Sequence, residues 1–217
     1  MARILILSGG GEFADPWHPF AETSEALGEL LGSIGHEVEI DDAVEQRAQD
    51  LSDVDVLVTN AADGPVGPAR SAAYDGIAAY LARGGSVFAL HVGAATLLGM
   101  PEWETVTGMA WIDGSWHPPL GPSQMRVDPL AHPIAAGTAD FELIDERYSD
   151  LRLGGDSAAF VTHELDGASH PVMWARQHGT SRVVVDTMGH DIRSFESAEH
   201  RRLIQRSFAW LLNELDG

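Results

Sequence analysis

The chain has 217 residues, a hydrophobic content of 44%, a formal net charge of −20 and no cysteine. This length suits one α/β domain with a single large core. The charge argues against nucleic acids, anionic membrane surfaces and polyanionic substrates, which would be repelled, and it leaves neutral or cationic ligands open. The lack of cysteine excludes disulfides, thiolate metal sites and a cysteine nucleophile. All 13 basic residues are arginine, so lysine-based chemistry is excluded as well.

No apolar run approaches the roughly 18 residues that a membrane-spanning helix needs. The first three residues lead directly into a predicted strand rather than into a signal peptide. We therefore expect a cytoplasmic protein that binds neither nucleic acid nor membranes and whose partner is a small molecule. The sequence leaves the oligomeric state open, a homo-oligomer included.

Strands and helices are predicted to alternate along the first half of the chain. Strands are expected at residues 3–8, 36–40, 53–59 and 86–90, and helices at residues 20–34 and 69–83. This rhythm is typical of a doubly wound, mostly parallel sheet with helices on both faces. In such sheets, ligands bind outside the carboxyl ends of the strands.

His91 directly follows the predicted buried strand 86–90 and directly precedes a segment that can begin a helix. Small residues, among them Gly93 and Ala94, surround it, as a sharp strand-to-helix elbow requires. Such an elbow pushes its central side chain outward and is often strained, so we predict an unusual backbone conformation with a positive φ. The alternative is an ordinary histidine at the end of a strand.

The alternation of strands and helices stops in residues 100–156. Prolines in this segment exclude long helices, and several tryptophans lie close together in it. Two short antiparallel strands are expected at residues 123–127 and 139–144. We interpret the segment as an insertion that lies over the strand ends, within one domain that covers residues 1–217. Strands at residues 158–162, 171–176 and 182–186 and an amphipathic helix at residues 197–212 complete the prediction.

The candidate catalytic residues are titratable side chains expected at one rim of the sheet. His91 and His190 each follow a buried strand, and histidine suits proton transfer near neutral pH. Glu146 is the best carboxylate candidate, Asp191 adjoins His190, and His117 lies in the insertion. Two or three histidines with a carboxylate also describe a divalent metal site, although no helical ligand pair specifies its geometry.

Loop aromatics near the same rim are candidate substrate-binding residues, because an exposed ring can stack on the apolar face of a sugar. The candidates are Trp17, His18, Trp111, Trp116 and Tyr148. For the tryptophans of the insertion, simple packing is the alternative. Four other histidines, His36, His163, His178 and His200, are predicted to lie at the surface.

Several short motifs then occur in one order over nearly the whole chain. They are ALHVGAAT at residues 89–96, HP at 117–118, HPI at 132–134, DERY at 145–148, HPVMWAR at 170–176 and RVVVDTMGHD at 182–191. In these the chain resembles the ThuA-like family (trehalose utilisation) of the class I glutamine amidotransferase-like superfamily. The resemblance implies a flavodoxin-like three-layer α/β/α sandwich, a role in carbohydrate metabolism and a carbohydrate partner.

The resemblance places His91 where the amidotransferases carry their elbow cysteine and His190 where they carry the triad histidine. Ile192 stands where their glutamate would be, and no cysteine is present, so hydrolysis of glutamine through a thioester is not expected. Two hypotheses remain: an enzyme with acid/base or metal-assisted chemistry on a neutral sugar or keto-sugar, and a non-catalytic sugar-sensing or scaffold domain.

Overall fold

A nine-stranded mixed sheet forms the centre of the protein in the computed structural model, which describes residues 1–215. The strands are β1 (Arg3–Ser8), β2 (Glu37–Asp41), β3 (Val56–Asn60), β4 (Ser86–Leu90), β5 (Met109–Ala110), β6 (Gly121–Val127), β7 (Phe141–Asp145), β8 (Arg152–Leu153), β9 (Ala158–Leu165), β10 (Ala168–His178) and β11 (Ser181–Asp186). The helices are α1 (Phe20–Ser33), α2 (Val44–Arg47), α3 (Arg70–Ala82), α4 (Val92–Ala95), α5 (Trp103–Thr107) and α6 (Ala198–Leu211).

The strand order in the main sheet is β2-β1-β3-β4-β11-β10-β9-β6-β7. Neighbours from β2 to β11 pair in parallel, and those from β11 to β7 pair antiparallel. The strands β5 and β8 form a separate two-stranded sheet. These findings confirm the predicted α/β class. They also show that the two strands expected in the insertion extend the main sheet, because β6 and β7 pair at its edge.

Apolar side chains fill both faces of the sheet, which explains why its central strands are continuous apolar runs. In β1, Ile4 and Ile6 belong to a core that includes Leu27 of α1 and Phe208 of α6. The intervening residues of the same strand belong to the opposite core, which includes Ile77 of α3. Successive side chains of a strand alternate between faces, so helices cover both sides in three layers.

Two histidines that were predicted to lie at the surface are buried, and that prediction was wrong for both. His163 lies within β9 and is 0% exposed. His200 lies on the inward face of α6, where its Nε2 is 2.8 Å from a carboxylate oxygen of the equally buried Asp186. A buried charge is tolerated where it is paired in this way.

No helix within residues 1–215 is both long enough and apolar enough to cross a membrane.

Candidate active site

The elbow between β4 and α4 holds His91 in a strained conformation. Its backbone has φ 47° and ψ −118°, which confirms the predicted positive φ. The elbow requires a small neighbour, since a Cβ at Gly93 would lie 2.2 Å from the carbonyl oxygen of Thr59. The His91 side chain is only 1% exposed, and its Nδ1 lies 2.7 Å from the carbonyl oxygen of Thr187. Because a carbonyl only accepts, Nδ1 carries the hydrogen and Nε2 keeps a free lone pair.

His190 reaches the same point because β11, which precedes it, is the parallel neighbour of β4. The chain turns at Gly189, with φ 103°, and the carboxylate of Asp145 accepts the N–H groups of Gly189 and His190. This brings His190 Nδ1 to 3.3 Å from His91 Nε2. The two imidazoles, which were expected at one rim of the sheet, are therefore close enough to contact one small ligand.

Glu146 follows β7 and joins both histidines. Its Oε2 lies 3.3 Å from His190 Nδ1 and 3.6 Å from His91 Nε2, and its Oε1 lies 3.5 Å from His117 Nδ1. Two residues further on, the hydroxyl of Tyr148 lies 3.0 Å from His91 Nε2 and donates to its lone pair. The segment after β7 thus supplies both a carboxylate and a phenol to the two histidines.

His18 completes the group from the loop between β1 and α1. Its Nδ1 lies 2.6 Å from Asp15 Oδ2, and its ring centre is 5.0 Å from that of His91 and 4.9 Å from that of His190. One ligand atom from each of His18, His91, Glu146 and His190 lies within 4.8 Å of the others. These four residues, called the histidine cluster below, are the group of side chains that could hold a metal ion.

The electrostatics of the cluster lower the pKa of its carboxylate and raise the pKa of one imidazole. Burial alone would raise the pKa of Glu146, but its contacts with His190 and His91 hold it well below its usual range. The hydrogen bond to Glu146 raises the pKa of His190 against the effect of burial. Burial and the neighbouring His91 lower the pKa of His18 despite its contact with Asp15. Burial, reinforced by Glu146, raises the pKa of Tyr148 well above its usual value.

A cavity of about 580 Å³ opens over the histidine cluster. It is lined by Pro16, Trp17, His18, His117, Glu146, Tyr148 and His190. Trp17 is 72% exposed at this opening. Trp111 stands edge-on to Tyr148, with ring centres 5.0 Å apart, and 6.2 Å from the ring of His117. Of the segment 111–117, His117 lines the cavity, and Trp111 packs against the lining residues Tyr148 and His117.

Two predicted site residues lie outside this arrangement. The carboxylate of Asp191 caps a 3-10 helix by accepting the N–H of Arg193, and it also pairs with the Arg193 guanidinium. Trp116 is 41% exposed but does not line the cavity, since its Nε1 donates to Asp150 at 3.0 Å. The polar group of Asp191 is therefore paired with its near neighbour Arg193, and that of Trp116 with Asp150, 34 residues further along the chain.

Three groups that orient the cluster were not found from the sequence. The Asp15 carboxylate is hydrogen-bonded to the ring of His18, and the Asp145 carboxylate accepts the backbone N–H of His190. The Thr187 carbonyl accepts a hydrogen bond from the ring of His91. A signal existed for the first, because an aspartate three residues before a histidine can form a local side-chain contact. The other two partners are 45 and 96 residues away in the chain. Both lie within the quoted motifs DERY and RVVVDTMGHD, but no local pattern shows which group each one contacts.

The parallel sheet, the elbow at the end of β4 and the histidine after β11 define a protein of the class I glutamine amidotransferase-like fold with histidine at the elbow. Solved structures of this fold superpose on nearly the whole chain. A ThuA-like protein from Parabacteroides merdae superposes with a TM-score of 0.82 at 16% identity, covering 100% of this chain and 92% of that one. A ThuA-like protein from Bacteroides uniformis gives 0.73 at 16% identity, covering 97% and 91%. A glutamine amidotransferase from Thermotoga maritima gives 0.55 at 10% identity, covering 99% and 90%.

The sequence profile of the ThuA family, described as trehalose utilisation, matches residues 3–211. The chain therefore belongs to the ThuA family, as its ordered motifs predicted, and the family description suggests a role in carbohydrate metabolism. No curated protein sequence matches the chain.

Proposed function

We propose that this protein is an enzyme that acts on a neutral sugar or keto-sugar by proton transfer next to a carbonyl group. The observation that carries the proposal is that three imidazoles, one carboxylate and one phenol line a single cavity, namely His18, His117, His190, Glu146 and Tyr148. Buried titratable groups with displaced pKa values are typical of catalytic sites. A cavity of about 580 Å³ is also within the usual size range for small-molecule sites.

The substrate class follows from charge and from the aromatic side chains at the opening. The chain carries a net charge of −20, and Asp15 and Glu146 place carboxylates beside the cluster, so polyanionic substrates are disfavoured. Exposed Trp17 provides a flat apolar surface for a sugar ring beside polar groups. The family description, trehalose utilisation, supports a carbohydrate.

The charges of the cluster suit acid/base chemistry. An ionised Glu146 can remove the proton from a carbon next to the carbonyl, while the proton on His190 passes to the carbonyl oxygen, which gives an enediol. In an isomerisation, Glu146 returns its proton to the former carbonyl carbon while His190 takes the proton of the other enediol hydroxyl, which becomes the new carbonyl. In an elimination, the proton on Glu146 leaves with a departing hydroxyl group of the next carbon, and His190 takes back the proton of the enol oxygen. A positioned acid or base contributes about 10²- to 10⁴-fold to such a step.

A second candidate is a domain that binds a sugar without turning it over. The observation that favours it is the loss of the amidotransferase nucleophile, because the elbow residue is His91 and the chain has no cysteine. A fold that has lost its ancestral chemistry can retain the ligand cavity alone.

A two-stage experiment separates these candidates. Thermal unfolding in the presence of individual neutral sugars and keto-sugars identifies a ligand, since a ligand of the native state raises stability. Turnover of that ligand is then followed for the wild type, for Glu146→Gln and for His178→Ala, a control outside the cavity. We expect Glu146→Gln to lose about 10²-fold or more in turnover with little change in affinity. A wild type that binds the sugar but never converts it supports the binding domain and contradicts the enzyme.

A further inference from the structure

The spacing of the polar atoms in the histidine cluster differs from that of direct hydrogen bonds. His190 Nδ1 lies 3.3 Å from both His91 Nε2 and Glu146 Oε2, and the latter two atoms are 3.6 Å apart. A charge-assisted hydrogen bond between imidazole and carboxylate is shorter, at about 2.7–2.9 Å. Ligand atoms at about 2.0–2.1 Å from one ion with tetrahedral geometry are about 3.3–3.4 Å apart. The three observed separations are close to this tetrahedral spacing, and the ligand atom of His18 lies within 4.8 Å of the other three.

The surroundings also prepare the imidazoles as ligands. Metal-binding histidines usually donate their second ring N–H to a carboxylate or a backbone carbonyl, which fixes the tautomer and the orientation of the ring. His91 donates from Nδ1 to the Thr187 carbonyl, and His18 uses Nδ1 for the Asp15 carboxylate. Each contact leaves Nε2 as the ligand atom.

The ligand set selects the class of metal. Three imidazoles and one carboxylate suit zinc, iron, cobalt, nickel or copper in the divalent state, whereas magnesium and calcium prefer sites made of oxygen atoms. In the part of the chain that the structure describes, no other group of three or more such side chains converges. The described residues thus contain one group of potential metal ligands, and its nitrogen-rich composition favours transition metals.

We propose that His18, His91, Glu146 and His190 bind one divalent transition-metal ion of the zinc type at the base of the cavity. Its chemical consequence rests on the proposed function: an oxygen atom of the sugar completes the coordination and is polarised by the ion. With the ion bound, His91, His190 and Glu146 act as ligands, so Glu146 and His190 do not serve as the base and the acid that the metal-free mechanism assigns to them.

The test is metal binding by the full chain, measured without any sugar. After treatment with a chelator and its removal, the protein is titrated with Zn²⁺ by calorimetry and with Co²⁺ by visible absorption. We expect one ion per chain, ligand-field bands of a four- or five-coordinate cobalt site, and much weaker binding of Mg²⁺. The variants His18→Ala and Glu146→Gln should each lower the Zn²⁺ affinity by roughly 100-fold or more, because each removes a direct ligand while second-shell changes cost about 10- to 100-fold.

His178→Ala is the matched control, since His178 contacts the Thr105 carbonyl outside the cluster, and it should bind Zn²⁺ like the wild type. Circular dichroism and the thermal midpoint show that each variant is folded. His18 is a suitable test position because it is only partly buried and lies in a loop. Failure to bind one ion, or an affinity that the two cluster variants leave unchanged, overturns the metal site.

The proposed function and the proposed metal site can each be disproved without disproving the other. A sugar that stabilises and is converted by protein without any detectable metal supports acid/base chemistry and contradicts the metal site. Stoichiometric zinc binding that depends on the cluster, with no sugar bound or converted, supports the metal site and contradicts the proposed substrate class.

Discussion

The carboxylate of Asp145 accepts the backbone N–H of His190 at 3.2 Å, and so ties the end of β7 to the loop that follows β11. Its other oxygen accepts the N–H of Gly189 at 2.7 Å, and the side chain is 1% exposed. These strands are four positions apart in the sheet. Asp145 therefore joins the two segments that carry Glu146 and His190, and we regard it as a positioning residue of the cluster.

Replacing Asp145 with asparagine should weaken this link. An amide offers one oxygen acceptor, so one buried N–H loses its partner, which costs about 1–3 kcal/mol of stability. Because the loop of His190 is then less well held, we expect the affinity of the cluster for Co²⁺ to fall about 10- to 100-fold. Urea unfolding and cobalt titration measure the two effects. Asp113→Asn, on the exposed insertion, is the control, and cobalt affinity equal to that of the control contradicts the positioning role.

Substitution of Gly93 should test the close approach at the elbow. The Cβ of alanine would lie 2.2 Å from the Thr59 carbonyl oxygen, so the backbone has to move, and such overpacking costs about 1–3 kcal/mol or more. Gly32→Ala is a matched control, since nothing lies within 4 Å of its added Cβ in helix α1. There alanine should stabilise by about 0.5–1 kcal/mol through its helix propensity. Equal effects of the two substitutions on urea unfolding would show that the elbow is not tightly packed.

The pH dependence of stability should carry a contribution from His132. Burial and the neighbouring Arg182 lower the pKa of His132 to about 4. The unfolded chain, with a histidine pKa near 6.5, therefore binds this proton more readily than the folded protein. The stabilising effect of the neutral side chain is present above pH 6.5 and is lost as the pH falls towards about 4. The pKa difference between the unfolded and folded chain limits this contribution of His132 to the unfolding free energy to about 3 kcal/mol. Solvent screening of the partly exposed side chain makes the contribution smaller.

The variant His132→Asn removes this titration while keeping an acceptor for the N–H of Ile134. The difference in unfolding free energy between wild type and variant should shift in favour of the variant between pH 7 and pH 4.5. Carboxylates titrate in both proteins and cancel in the difference. Urea unfolding at several pH values measures it, and parallel profiles of the two proteins would refute the assignment.

Trp17 should contribute to sugar affinity through stacking. It is 72% exposed at the opening of the cavity, so its removal leaves the core intact. We expect Trp17→Ala to weaken binding of the sugar ligand about 3- to 10-fold, which corresponds to about 0.5–1.5 kcal/mol for an aromatic contact. Trp116→Ala is the control, because Trp116 is also exposed but binds Asp150 away from the cavity. If both variants bind equally well in calorimetry, Trp17 does not contact the sugar.

Local patterns in the sequence were sufficient for the strands of the main sheet, the long helices and the elbow, whereas the short elements α2, α5, β5 and β8 were not predicted. Burial on both faces makes a central strand such as β4 a continuous apolar run, and the structure has it at the predicted residues Ser86–Leu90. The strain at His91 was also predictable, because small residues on both sides permit a sharp turn. The joint position of His91 and His190 followed from the rule that parallel strands end at one rim of a sheet.

The partners of these histidines were decided only by the tertiary structure. His18 was predicted as a substrate contact and lies within the cluster, while Asp191 was predicted to be catalytic and binds Arg193. Hydrophobic periodicity reports which face of an element is buried, but not which polar groups meet there. Asp186 and His200 show the difference: the apolar pattern placed β11 and α6, yet only their packing brings the two buried side chains to 2.8 Å. Such contacts depend on the relative position of whole elements, which no short stretch of sequence encodes.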